Sequence, residues 1–211
     1  MEDRLNNDVA SLTKVLDQDL REAQPRMPKQ PLLVAMCGLP GTGKSYFAAK
    51  LSEQVPFLIM ETDRLRKVLV TYPKYTAGEH RRVFETCYKL IEAYLTSGYS
   101  VLFDATNLNE EFRSYIYDIS ASTGAPLALV HVTAPQNIVR RRLKQRKAGR
   151  HADTYSDAGW LIYTRLAPVE EPIKGDHYSV DSSKDITPVL RQLVEWADWA
   201  GRVDQESESG G

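Results

Sequence analysis

Apolar residues along this chain recur with two periods. In "MEDRLNNDVASLTKVLDQDL" Leu5, Val9, Leu12, Leu16 and Leu20 follow a three-to-four spacing, which predicts an amphipathic helix. The stretch "AQPRMPKQP" interrupts it. Short apolar runs then alternate with long helical patterns: "PLLVAMC", "PFLIMET", "SVLFDAT", "PLALVHV" and "HYSVD" read as strands. Strands that alternate with helices pair in parallel through crossovers, so the pattern predicts a doubly wound α/β sheet with five core strands. A last helix carries Ile186, Val189, Leu190, Leu193, Val194 and Ala197 on one face, with Thr187 as its expected cap and Pro188 in its first turn. The closing "DQESESGG" reads as a disordered acidic tail. The expected division is a helix and linker over 1–30, a core domain over 31–200 and the tail over 201–211.

Length and charge narrow this further. A chain of 211 residues suits one α/β domain with a sizeable core. Lys plus Arg number 27 against 28 Asp plus Glu, so the net charge of −1 gives no reason to expect a nucleic-acid partner. The two cysteines, Cys37 and Cys87, stand in apolar surroundings at a spacing that suits neither a disulfide framework nor a metal site, and are expected buried and reduced. No stretch approaches the ~18 apolar residues of a membrane span, and the N-terminus lacks a targeting pattern. The expected compartment is the cytoplasm, with no membrane partner; the oligomeric state is left open.

The segment "GLPGTGKS", Gly38 to Ser45, fits G-x-x-x-x-G-K-[ST] at every fixed position. An apolar run precedes it and "KSYFAAKLSEQ" follows, the strand, loop and helix that the motif needs. Gly38, Gly41 and Gly43 can take positive φ and bring backbone N–H groups, with those of Leu39, Pro40's neighbours and Thr42, close to phosphate oxygens at the positive end of a helix. Lys44 adds charge on the β- and γ-phosphates, and Ser45 offers a hydroxyl to Mg²⁺. The loop is therefore expected to hold ATP. A GTPase would show an Asn-Lys-x-Asp element, which this sequence lacks. A small kinase remains, and it predicts an acceptor base and an arginine-bearing lid.

Asp63 follows an apolar strand in "METDRLRKVL" and shares a helix face with Arg66, three residues on. A carboxylate there can take the proton of an attacking hydroxyl, and Arg66 can hold an anionic acceptor or the moving phosphoryl group; the competing reading is a helix cap and a surface charge. In "VLFDATNL", Asp104 has the setting of a carboxylate near Mg²⁺, while Thr106 and Asn107 can bond the acceptor or the loop backbone. A capping turn competes there. "RRRLKQRKAGR" holds seven basic residues and no acidic one in eleven positions, with Arg142, Arg146 and Arg150 on one ridge. That is the composition of a lid that meets transition-state charge. The four histidines show no ligand spacing and receive no chemistry.

In these residues the chain resembles small P-loop kinases of the polynucleotide 5′-hydroxyl kinase and zeta-toxin type, and within them a branch of kinases with an AAA-type ATP-binding domain. The similar elements are "GLPGTGKS", "ETDRLRKVL", "FDATNL", "VRRRLKQR" and "HADTYSDAGWLIYTRL", from about Leu32 to Ser183. The resemblance implies a P-loop NTPase three-layer sandwich of nucleoside-monophosphate-kinase type, strand order 2-3-1-4-5. It also implies Asp63 as general base, Arg66 on acceptor or phosphate, and Arg146 as the lid arginine with Arg142 assisting, in a lid over about 138–168. "VDSS" falls where relatives shape the adenine pocket, which brings in Asp181, and Tyr46 extends the nucleotide-binding loop. The expectation is an ATP- and Mg²⁺-dependent kinase acting on a hydroxyl, with a small molecule favoured as acceptor. Two alternatives stand beside it. One is a polynucleotide 5′-hydroxyl kinase using Tyr72, Tyr75, Arg81 and Arg82; nucleic acid is not favoured. The other is a nucleotide-dependent switch protein whose N-terminal helix docks a partner.

Overall fold

The computed structural model describes residues 2–23, 28–147 and 159–201. Five strands form one parallel sheet: β1 (Leu33–Cys37), β2 (Leu58–Glu61), β3 (Val101–Asp104), β4 (Leu127–Thr133) and β5 (Tyr178–Asp181), in the order β2-β3-β1-β4-β5. All five expected strands are present, in the expected order. Along β1 the side chains alternate between two cores. Leu33, Ala35 and Cys37 enter one, with Phe103 and Met60; Val34 and Met36 enter the other, with Leu102, Val130 and Val180. Both faces are covered, which is why these strands read as continuous apolar runs rather than alternating ones.

The second core is closed by α2 (Lys44–Ser52), through Phe47, Ala48 and Leu51, and by α8 (Thr187–Ala200), through Leu190 and Leu193. The helix α8 begins differently from expectation. Its cap is Ile186, and Thr187 is already helical, its N–H donating to the Asp185 carboxylate at 3.0 Å. The sequence favours this because the acidic side chain two residues earlier reaches the orphan N–H first.

The first core is closed by α1 (Glu2–Ala23), α4 (Ala77–Thr96) and α5 (Glu110–Thr123), with the short α3 (Thr62–Leu69) at the end of β2. Leu12 and Leu16 of α1 are wholly buried, with Val9 and Leu20 packed beside them. The N-terminal helix therefore completes the layer that carries α3 and α4. Over the C-terminal end of the sheet, α6 (Gln136–Lys147) and α7 (Trp160–Leu166) build a satellite cluster in which Val139, Leu143 and Tyr163 meet Leu39 and Leu108. Arg150, "HADTYSDA" and the acidic tail beyond Gly201 lie outside the described residues. Both cysteines are buried and free, and burial pushes each thiol up to about 12. Among the described residues no helix is long and apolar enough to cross a membrane.

Candidate active site

The Gly-rich loop leaves the central strand and turns at once into α2. Gly38, Gly41 and Gly43 have φ of 130°, 82° and 103°. At Gly38 a Cβ would stand 2.3 Å from the Val132 carbonyl oxygen, so only glycine fits between β1 and β4 there. The turn is fixed by Gly38 N donating to the Thr106 carbonyl at 2.9 Å and by Thr42 Oγ1 donating to the Leu39 carbonyl at 2.8 Å. Lys44 opens α2, is buried, and donates from Nζ to the Leu39 carbonyl at 3.0 Å. Burial lowers its pKa, while the Asp104 and Asp63 carboxylates pull it back up. That is a cation held with no direct ion pair among the described residues, ready for an anion.

Three carboxylates gather at the neighbouring strand ends. Register pairs Glu61, the last residue of β2, with Asp104, the last of β3, and Asp63 follows in the first turn of α3. Asp104 is buried; burial raises its pKa, and Lys44 and a hydrogen bond with Ser45 lower it. Thr62 ties α3 to this strand end, its hydroxyl donating to the Asp104 carbonyl at 3.2 Å. Glu61 is pushed up to about 7, first by burial and then by Asp104 and Asp63. Nothing in the sequence reading singled out Glu61. Its signal was its place as the last strand residue, next to the loop.

On the far side of Asp63, Arg66 is 3% exposed and donates from Nη1 to Glu79 at 2.9 Å. Its Nε is buried with no hydrogen-bond partner among the described residues. Glu79 also accepts from the backbone N–H groups of Lys74 and Tyr75, at 2.9 and 3.3 Å, and so holds Tyr75 at φ 54°. The Tyr75 ring lies 4.9 Å from the Arg66 guanidinium. This is a capping box turned to another use: Thr76 accepts from Glu79 N, and the Glu79 carboxylate reaches back to organise the turn and the arginine. From behind, α1 clamps the same pair of helices. Asp8 takes two 2.6 Å bonds from Arg82 of α4, and Asp19 takes bonds of 2.7 and 2.8 Å from Arg64 of α3. Arg82, considered for phosphate contact, is thus engaged by Asp8.

A cavity of about 1310 Å³ runs across this face. Its lining brings together Lys44, Ser45 and Tyr46 with Asp63, Arg66, Asp104 and Thr106, and adds Arg142 and Arg146 from α6. The expected ridge is divided in its roles. Arg142 donates to the Thr42 carbonyl at 3.1 Å and to the side chain and carbonyl of Ser182 at 2.8 and 2.9 Å, and Ser182 Oγ itself donates to the Thr42 carbonyl. Arg142 therefore laces the loop to the end of β5. Arg146 faces the cavity near Lys44, Glu61 and Asp104.

Several expected binding residues sit elsewhere. Asn107 is fully buried at φ 43° and donates to the Met36 carbonyl at 2.8 Å, so it joins β1 to β3 and does not line the cavity. Buried Arg113 keeps that turn in place, donating to the Asn107 carbonyl at 3.0 Å. Asp181 turns its carboxylate to the backbone and hydroxyl of Ser183, at 3.0 and 2.6 Å, and is absent from the lining, where Ser182, Lys184 and Asp185 stand instead. Gly38, Leu39 and Thr42 shape the loop from behind, while Pro40, Gly41 and Gly43 line the cavity. Tyr72 is 82% exposed and lies outside it. His80, given no chemistry from the sequence, lines it between two phenylalanines.

A parallel sheet in this order, a Gly-rich loop feeding a helix from its central strand, and carboxylates at the adjacent strand ends are the architecture of the P-loop kinases. The chain belongs to the AAA domain family, whose profile matches residues 33–160. Among curated proteins it is 26% identical over 157 residues to 6-phosphofructo-2-kinase/fructose-2,6-bisphosphatase 1 of Rattus norvegicus, a match covering 66% of this chain and 33% of that one. The chain spans about a third of the length of the curated relatives it matches. Among solved structures it is similar to the Mycobacterium tuberculosis APS kinase CysC in complex with AMPPNP and APS, with TM-score 0.63, 17% identity, and coverage of 81% of this chain and 99% of that one. It is also similar to Chaetomium thermophilum Kti12 in complex with ADP-AlF3, with TM-score 0.62, 18% identity, and coverage of 80% and 98%. At these identities the structural likenesses speak for the fold.

Proposed function

We propose that this protein transfers the γ-phosphoryl group of ATP to a hydroxyl on a small acceptor. One observation carries the reading: a single cavity joins the phosphate loop, through Lys44 and Ser45, to Asp63, Asp104 and Arg146. Lys44 and the N-terminus of α2 hold the phosphates, Asp63 takes the acceptor proton, and Arg146 meets charge that develops on the moving group. Arg66 orients the acceptor. The catalytic unit is proposed at 31–200 with a lid over about 138–168, of which 148–158 lie outside the described residues, and the two free buried thiols suit a reducing compartment such as the cytoplasm.

The residues also fit a divalent cation. Ser45 and Asp104 bring hard oxygen donors, already hydrogen-bonded to one another, beside the loop. Mg²⁺, when bound there, supplies charge neutralisation across the β- and γ-phosphates.

The small acceptor is favoured over a polynucleotide because Arg82 is held by Asp8. The switch reading is disfavoured, since the apolar stripe of α1 is buried on its own domain. The test is incubation with γ-labelled ATP and pooled acceptors: oligonucleotides, nucleosides, sugars, sugar phosphates and amino-sugar compounds. Label should enter a small-molecule pool, and Lys44→Ala should abolish transfer and weaken ATP binding while circular dichroism stays unchanged. Unaltered ATP affinity and turnover in that variant would sink the assignment.

A further inference from the structure

The half of the cavity away from the phosphate loop has a distinct chemistry. Its wall on α4 and α5 is aromatic. The His80 ring lies 4.1 Å from Phe84 and 4.8 Å from Phe112, and Phe84 lies 5.0 Å from Phe112. Phe84, 1% exposed, lines the cavity together with the half-buried His80 and Phe112, and Phe103, at 0% exposure, is buried behind them. Leu108, Ile162 and Leu166 continue the lining with aliphatic carbon. None of these side chains except His80 carries a hydrogen-bonding group.

We infer that this lobe is the seat of a flat, largely unsaturated ring on the acceptor, with His80 and Phe112 as the specificity-determining contacts. The inference rests on the kinase reading and names its substrate class: a small hydroxyl compound bearing a planar ring, as opposed to a sugar or open-chain polyol.

The physical argument turns on what each kind of acceptor would lose. The lining also holds Thr76, Asn109, Glu111 and Arg165, which can meet some hydroxyls of a polyol, but those turned to Phe112, Leu108 and Leu166 are left without partners, and stripping them of water there is costly. A planar ring loses little and gains face or edge contacts with both aromatic side chains. His80 suits the same role. Burial first, and then the neighbouring Arg66 cation, hold its pKa down to about 4 against the pull of Asp63 and Glu79, so at neutral pH it presents an uncharged ring rather than an anion-binding cation. Polar recognition is placed to one side, at Arg66, whose Nε has no partner among the described residues. A hydroxyl carried on a substituent of the ring can then face Asp63.

Binding can be read without catalysis. Calorimetry on the full chain, in the presence of a non-hydrolysable ATP analogue, would compare adenosine and pyridoxine, two ring-bearing alcohols of different origin, with fructose 6-phosphate, gluconate and glycerol. At least one ring compound should bind about tenfold or more tightly than every polyol. Phe112→Ala and His80→Ala should each weaken it about tenfold and leave the ATP analogue's Kd unchanged, with Phe112→Leu as a fold-preserving second variant of intermediate effect. Preference for adenosine over pyridoxine would mark a nucleobase-type ring, and the reverse another heteroaromatic. The inference is overturned if any polyol binds more tightly than both ring compounds, or if ring binding ignores all three substitutions. Absence of phosphoryl transfer alongside ring binding would strike the kinase reading and leave the ring-binding lobe standing.

Discussion

Asp63 stands at the second position of α3, after the Glu61 cap and Thr62, so its carboxylate is not spent on capping the helix. It faces the cavity beside Lys44 and Asp104, where a carboxylate can take a proton. Asp63→Asn keeps the shape and removes that capacity, so transfer to the true acceptor should fall by about 10²-fold or more while ATP affinity is kept. Near-normal kcat in the variant would move the base elsewhere. His80 makes a second prediction, in stability. With its folded pKa near 4 against an ordinary 6.5, the folded protein binds fewer protons there than the unfolded chain between those values. Unfolding free energy therefore rises with pH across the window from 4 to 6.5, and that contribution is lost as the pH falls through it, by about 3 kcal/mol in all. His80→Phe keeps the stacking and removes the titration. Its Tm should gain on wild type as the pH is lowered from 6.5 to 4, and parallel melting curves for the two proteins would refute the role.

Helices here act as carriers of these residues, and their fixings were the least legible part of the sequence. The apolar stripe of α1 was plain; what it packs on was not, because Asp8 and Arg82 are 74 positions apart and Asp19 and Arg64 are 45. Nothing local marks such partners. Since Leu12 and Leu16 are part of the main core, Leu12→Ala should cost about 2–4 kcal/mol in denaturant unfolding, where a peripheral docking helix would lose almost none. Asp19→Asn loosens the clamp on α3 with a smaller loss of stability, of order 1 kcal/mol for a pair of this exposure. It should raise the acceptor KM more than the nucleotide Kd, and Asp19→Glu should recover part of the loss. On α6 the spacing of four predicted one ridge, and the structure divides the labour. Arg142 binds the Thr42 carbonyl and Ser182, so Arg142→Ala should weaken ATP binding. Arg146→Ala should instead lower kcat by roughly 10²-fold, with less effect on ATP affinity, if, as proposed, it meets charge present mainly in the transition state. Equal effects of the two substitutions on Kd and kcat would reject that division.

At the scale of the molecule, the five strands and the phosphate loop were readable because both are local in origin: buried parallel strands are apolar throughout, and the loop needs fixed residues at fixed spacing, whereas the order of the strands came only from the family resemblance. The walls of the cavity come from α2 through α8 and the turn after β5, which only the fold brings together, so the places of Glu61 and His80 in the lining and of Glu79 behind Arg66 are not legible in the sequence, while Asn107 donates to Met36 and Asp181 binds Ser183. The same assembly bears on the acceptor. A polynucleotide needs a track of cations reaching beyond the cavity, and the candidates for it were Arg81 and Arg82. Arg82 is bound twice by Asp8, leaving exposed Arg81 at the cavity's edge, and the chain as a whole carries a net charge of −1. Each phosphate contact on a single strand contributes about −0.7 to the slope of log K against log salt. Contact by Arg81 and at most one further cation predicts a slope no steeper than about −1.5 for a short oligonucleotide, and Arg81→Ala should flatten it by less than one. Fluorescence anisotropy with a labelled single strand from low to physiological salt reads this directly. A slope of −4 or steeper, accompanied by labelling of 5′ ends from γ-labelled ATP, would show a phosphate track outside the cavity and replace the small acceptor with a polynucleotide.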